Sequence, residues 1–242
     1  MPRAAPTHHP RRSRPHRRGR RSGTAIPQGI PRRGPHRRVR RPRHPTPRPP
    51  RPGSQVPRAK RLAEFDLHAL PSLPPATMAH LAGGTWIDAG EPVVLLGDSG
   101  TGKTHLLIGL GTAAAEAGRR VRYITTATLV NELVEAADDK QLSRVVGRYA
   151  RLDLLCLDEI GYVHLDPRGA ELLFQIITAR EEKASIACAS NAPFSEWGAT
   201  FTDPRLAAAI VDRLTFRAHI IATGTDSYRL RATRAAKNRT AA

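Results

Sequence analysis

Cysteine is scarce in this chain of 242 residues: there are two, Cys156 and Cys188, each inside an apolar run. Two thiols so placed exclude a disulfide-stapled scaffold and fit a reducing interior. Long apolar runs are also missing. No stretch approaches the roughly 18 apolar residues that a membrane-spanning helix needs, and no apolar segment follows the Arg-rich start as it would in a secretory signal. The expectation is a cytoplasmic protein without membrane contact. Acidic residues are absent from residues 1–60, which hold 19 of the 39 Lys and Arg and 14 of the 21 Pro. The formal net charge of +18 therefore resides in this segment, since the remainder is close to neutral. Almost no large apolar side chain occurs there, so burial cannot offset the cost of ordering it. Residues 1–60 are expected to form a disordered basic Arg/Pro-rich tail. The density of proline, without interleaved Leu and Ala, argues against an amphipathic transit helix. No internal repeat is present.

From Lys60 onward short strand-like runs alternate with longer helix-like ones, the rhythm of an α/β domain. The run PVVLL (92–96) ends in a glycine-rich loop, and 103–117 carries Leu106, Leu107 and Leu110 at helical spacing up to Gly118 as a stop. A second strand is predicted at 121–124, then a helix over 127–137 with Thr126 as its cap, and a short helix over 141–150. The run LDLLCL (152–157) reads as a strand covered on both faces. A helix over 167–183 has proline near its first turn, SIACAS (185–190) is the next buried strand, 204–215 is helical, and 219–223 is a last strand.

The chemistry is concentrated in four places. Gly97-Asp98-Ser99-Gly100-Thr101-Gly102-Lys103-Thr104 matches G-x-x-x-x-G-K-[ST] between a predicted buried strand and a helix start, where the mechanism requires it. Glycines let backbone N–H groups converge on phosphate oxygens, and the helix end adds partial positive charge. Lys103 would reach the β- and γ-phosphates of ATP, and the Thr104 hydroxyl would ligate Mg²⁺. Asp158 and Glu159 follow a buried strand. Two adjacent carboxylates suggest two tasks, Asp158 holding Mg²⁺ and Glu159 polarising the water that attacks the γ-phosphate. The alternative is a pair of solvated loop acids. Asn191, just after the strand 185–190, could contact that water or the γ-phosphate, although local sequence alone favours a turn or cap before Pro193. Arg213, on a helix with an apolar opposite face, is either a finger completing a neighbouring subunit's site or an exposed partner of Asp212.

Taken together, GDSGTGKTHL, LLCLDEIG, the Ser190-Asn191 strand end, IVDRL and SYR (227–229) resemble the IstB-like ATPases, helpers of insertion-sequence transposition related to the DnaC helicase loader. The segment 63–97 is similar to that family's lead-in, so the resemblance spans about residues 61–235, with 236–242 left as a flexible tail. It implies a P-loop NTPase of AAA+ type: a parallel sheet flanked by helices, assembled into rings or helical arrays with ATP between subunits. It also implies ATP hydrolysis, duplex DNA binding and contact with a transposase. Under the resemblance Lys103 and Thr104 take the Walker A roles, Asp158 and Glu159 the Walker B roles, Asn191 that of sensor 1, and Arg213 that of the trans-acting finger. Arg229 falls near a second sensor arginine. The insert 126–150 corresponds to a DNA-lining region, its Lys140, Arg144 and Arg148, with Arg151, being suited to phosphate contact or to a solvated face shared with Asp138 and Asp139.

The departure lies in residues 1–60, where relatives carry helical sequence. They read as a nucleic-acid-binding basic arm, as a misassigned start in a GC-rich frame, or as the scar of a truncated element, and the composition favours the latter two. The leading expectation is an ATP-hydrolysing, DNA-binding helper whose nucleotide state regulates a transposase. Its rivals are a DnaC-like helicase loader and a non-catalytic basic DNA-binding protein.

Overall fold

The computed structural model describes residues 55–57, 60–162, 164–228, 230 and 233. Five strands, β1 (Val93–Leu96), β2 (Val121–Thr125), β3 (Leu154–Asp158), β4 (Ser185–Ser190) and β5 (His219–Ala222), form one parallel sheet in the order β2-β3-β4-β1-β5. Among the described residues, helices α1 (Pro75–Gly83) and α2 (Thr85–Asp88) precede the sheet, and α3 (Lys103–Glu116), α4 (Thr126–Asp138), α5 (Leu142–Ala150), α6 (Pro167–Arg180), α7 (Trp197–Phe201) and α8 (Pro204–Thr215) connect its strands.

Side-chain alternation along the central strands makes two cores. Leu155, Leu157, Ile186 and Cys188 face α4, α5, α6 and α8 with Leu133, Leu173, Ile176 and Ile210. Leu154, Cys156, Ala187 and Ala189 face the other way, onto Leu106, Leu107 and Leu110 of α3 and Leu81 of α1. Burial on both faces is why β3 and β4 read as unbroken apolar runs rather than as alternating ones.

The strands, α3, α6 and α8 fall where periodicity predicts, α6 ending three residues early at Arg180. The cap of α4 differs by one residue. Thr125, not Thr126, accepts from Thr128 N (3.3 Å), because the Thr126 hydroxyl donates instead to the Asp158 carbonyl (3.0 Å) and joins α4 to the end of β3. The pairing of the sheet also reaches ahead of residue 61. Gln55 N donates to Val121 O (3.0 Å) and Gln55 O accepts from Tyr123 N (2.8 Å), so this residue lies alongside the exposed edge of β2. Helices α1, α2 and α7 have no counterpart in the sequence reading, being short elements whose burial comes from tertiary packing.

Candidate functional site

Because β1 and β3 are adjacent to β4 and all run parallel, their carboxyl ends open at one edge of the sheet. The loop after β1 turns sharply into α3, whose cap is Gly102 at φ 100°. Gly97 is the tightest point of the turn. A Cβ there would stand 2.4 Å from Thr223 Oγ1 and 2.7 Å from the Gly224 carbonyl, so no other residue fits beside β5. The loop is pinned to its surroundings by Gly97 N to Ser190 O (3.3 Å), Asp98 N to Gly224 O (3.0 Å) and Tyr228 N to Gly100 O (3.0 Å).

Lys103, only 6% exposed, donates its ammonium to the carbonyls of Gly97 (2.6 Å) and Asp98 (2.8 Å). Within the loop the roles divide. Ser99, Gly100, Gly102, Lys103 and Thr104 line a cavity of about 310 Å³, whereas Gly97 and Asp98 contribute carbonyls to the lysine. Thr101 turns inward, donating to Asp98 O (2.8 Å) with Thr223 Oγ1 2.6 Å away.

The same cavity is lined by Asp158, Glu159 and Asn191. Asp158, 4% exposed, closes β3 and accepts from the Tyr123 hydroxyl (2.6 Å) and from Glu159 N (2.9 Å). Burial, and then this hydrogen bond to Asp158, raises the Tyr123 phenol above its ordinary range, so it remains a neutral donor. Glu159 is exposed and sits at φ 60°, a left-handed conformation that costs a non-glycine residue roughly 1–3 kcal/mol. The two acids therefore differ in setting, Asp158 being held in the sheet while Glu159 is exposed at the cavity.

Asn191 is not a helix cap. The short 3₁₀ turn that follows is capped by Pro193 without a side-chain hydrogen bond. Its neighbours fix it: Ser190 Oγ donates to Ala192 O (2.7 Å) and accepts from Ala192 N (3.1 Å) and Trp197 Nε1 (3.2 Å). Lys60, His105 and Tyr228 also line the cavity, although no sequence signal distinguished them. Beside it, a second cavity of about 130 Å³ is bounded by Phe65, Leu70, Gly102, His105 and Tyr228.

Arg213 lies outside this cavity. Its guanidinium is 3.1 Å from Glu181 and stacks 4.6 Å above the Phe174 ring, so the expected alternative, an exposed pair with Asp212, is not the arrangement found. The reason is reach: Glu181, just beyond α6, faces α8, whereas sequence-adjacent residues on a helix diverge. Among the cations of the insert, Arg148 pairs with Glu132 and lies against Tyr149, while Lys140, Arg144 and Arg151 are exposed. Arg229 lies outside the described residues.

A glycine-rich cradle at a helix start, a hydroxyl at Thr104 and a buried carboxylate at Asp158 form a donor set suited to a nucleoside triphosphate and a hard, oxygen-liganded cation such as Mg²⁺. Comparison with known proteins agrees in kind. Residues 38–236 match the family described as IstB-like ATP binding protein. The chain is 38% identical over 183 residues to an IS21 insertion-sequence ATP-binding protein of Pseudomonas aeruginosa, covering 76% of this chain and 69% of that one. It is also 38% identical over 185 residues to an insertion-sequence ATP-binding protein of Sinorhizobium fredii, spanning 76% of this chain but 62% of that relative. Among solved structures, DnaI superposes with a TM-score of 0.56 at 19% identity, covering 70% of this chain and 95% of that one. Domain III of Thermotoga maritima DnaA gives 0.54 at 20%, covering 69% of each chain. The fold is thus the expected P-loop NTPase of AAA+ type.

Proposed function

The chain belongs to the IstB-like ATP-binding protein family, and we propose that it hydrolyses ATP as a DNA-binding helper of transposition. What carries this reading is the single cavity that gathers the phosphate loop, Asp158, Glu159 and Asn191 at the strand ends. Lys103 exchanges its carbonyl partners, Gly97 O and Asp98 O, for β- and γ-phosphate oxygens. Thr104 and Asp158 would hold Mg²⁺, which when bound would neutralise phosphate charge. Glu159 takes the proton of the attacking water, Asn191 orients that water, and the cavity beside Phe65 and Tyr228 receives the base.

Arg213 would act in trans, leaving Glu181 to meet the γ-phosphate of a neighbouring subunit in a ring or helical array. The nucleotide state then controls binding to duplex DNA and the activity of a transposase. Relatives named for insertion sequences support this role over that of a helicase loader.

The test is ATP turnover by the full chain, with and without duplex DNA at two salt concentrations. Expected is DNA-stimulated turnover that Glu159→Gln abolishes while ATP binding persists, and loss of both in Lys103→Ala. Undiminished turnover in Glu159→Gln would remove that residue from catalysis. Turnover indifferent to DNA at low salt would remove DNA from the function.

A further inference from the structure

Three residues distant in sequence converge at the amino ends of the strands, at the opposite end of the sheet from the phosphate loop. His80 lies in the last turn of α1, Glu91 two residues ahead of β1, and His219 opens β5 beside Val93. His219 Nε2 is 3.0 Å from a Glu91 carboxylate oxygen, and the His80 and His219 ring centroids are 5.1 Å apart. One ligand-capable atom from each residue lies within 4.8 Å of the other two.

The backbone under each residue is held by the fold. Trp86 Nε1 donates to Leu81 O (2.9 Å) next to His80, Glu91 N donates to Trp86 O (3.0 Å), and His219 N donates to Pro92 O (2.8 Å). The cluster is thus assembled on an anchored frame. Glu91 also receives Arg217 at 3.5 Å, so any ion bound by the two rings and the carboxylate competes with that guanidinium for one carboxylate oxygen.

We propose that His80, Glu91 and His219 form a binding site for a divalent transition-metal ion of the Zn²⁺ class. Two imidazole nitrogens and one carboxylate oxygen suit a borderline ion, and three protein ligands leave a fourth position for water. Mg²⁺ prefers oxygen ligands in an octahedron, so this site and the cation site of the phosphate loop select different metals. Tetrahedral Zn²⁺ with bonds of 2.0–2.1 Å needs donor atoms about 3.3 Å apart. Rotation of the exposed His80 side chain closes the remaining gap. The bound ion ties α1 to the β1–β5 edge of the sheet, a strand length of about 10 Å from the phosphate loop.

The experiment uses the full chain stripped with EDTA, with Co²⁺ as the spectroscopic probe and Zn²⁺ and Mg²⁺ in thermal melts. Five further histidines (His8, His9, His16, His36 and His44) lie in the Arg-rich segment, so the comparison is with His80→Ala and His219→Ala in the same full chain. Expected for the parent is a tetrahedral Co²⁺ absorption band, and a rise in Tm of about 5–10 °C when Zn²⁺ is present at a hundred times its Kd. Both variants lose band and shift while melting normally in EDTA, and Mg²⁺ gives neither effect. If His219→Ala melts abnormally in EDTA, the exposed His80→Ala decides alone. A band or shift that survives in His80→Ala, an equal response to Mg²⁺, or no response of the parent to Co²⁺ and Zn²⁺ would overturn the proposal.

Discussion

Glu159 combines two properties that a residue chosen for stability alone would not have: its side chain is exposed and its backbone is left-handed at φ 60°. The strain follows from the step between Asp158, locked in β3, and Ile160, buried in the core behind it. A glycine adopts this φ freely, so Glu159→Gly is expected to raise stability by about 1 kcal/mol, the strain being partly offset by the entropy of glycine. Glu159→Gln keeps the strain and should leave stability unchanged. Urea denaturation of the two variants reads the difference. An increase in both would locate the cost in the carboxylate rather than in the backbone. At this scale the sequence was informative about residue type and silent about conformation. Lys103, Thr104 and Asp158 were legible as members of one site because their motifs are contiguous, whereas Asn191 read locally as a turn or cap and was singled out only by the family resemblance. Tyr123 was not, because its hydroxyl reaches Asp158 only through the pairing of β2 with β3.

Helix α6 ends on Arg180, which is 1% exposed and whose guanidinium burial draws down to about 10. It donates to the carbonyls of Tyr149 (2.5 Å), Leu152 (3.1 Å) and Ser185 (2.7 Å), joining the end of α5, the entry to β3 and the start of β4. Arg180→Leu strands three carbonyls, and a loss of about 3–5 kcal/mol in denaturant midpoint measurements is expected. A loss below about 1 kcal/mol would mean that water reaches those carbonyls. The central strands carry a separate prediction. Burial pushes the Cys156 and Cys188 thiols from the ordinary value near 9 up to about 12. A raised folded-state pKa contributes stability that is complete below the unfolded value and is lost as pH climbs through the folded one. Stability should therefore fall from pH 9 toward 12, by up to about 1.4 kcal/mol per pH unit for each thiol. Cys156→Ala combined with Cys188→Ala should flatten that slope, and an unchanged slope would assign it to other groups. Elements with a clear period or an uninterrupted apolar run were legible. The short α1, α2 and α7 were not, since Trp86 and Trp197 anchor them through contacts with distant chain.

For the whole molecule, the proposed trans role of Arg213 has a direct consequence. Glu159→Gln lacks the proposed base but keeps Arg213, and Arg213→Ala keeps Glu159. Each alone should be inactive, yet mixing them should restore ATP turnover at junctions where one subunit supplies Glu159 and its neighbour Arg213. A mixture as inactive as its parts would exclude a shared site. The pairing of Arg213 with Glu181 and Phe174 adds a cost, and Arg213→Ala should lose up to about 1 kcal/mol of stability as well.

The sequence by itself determined the chemistry of the phosphate loop, the α/β alternation and the family, because each depends on local order: a fixed spacing of glycines, a period of burial, a run of motifs. Only the tertiary structure decided which residues share a cavity and which share a cation pair. The order β2-β3-β4-β1-β5 sets β4 between β1 and β3, so Asn191 meets the loop and Asp158. The same order sets β5 beside β1, so His219 meets Glu91. Strand order is fixed by which faces bury together across the whole sheet, a property that no window of the chain contains.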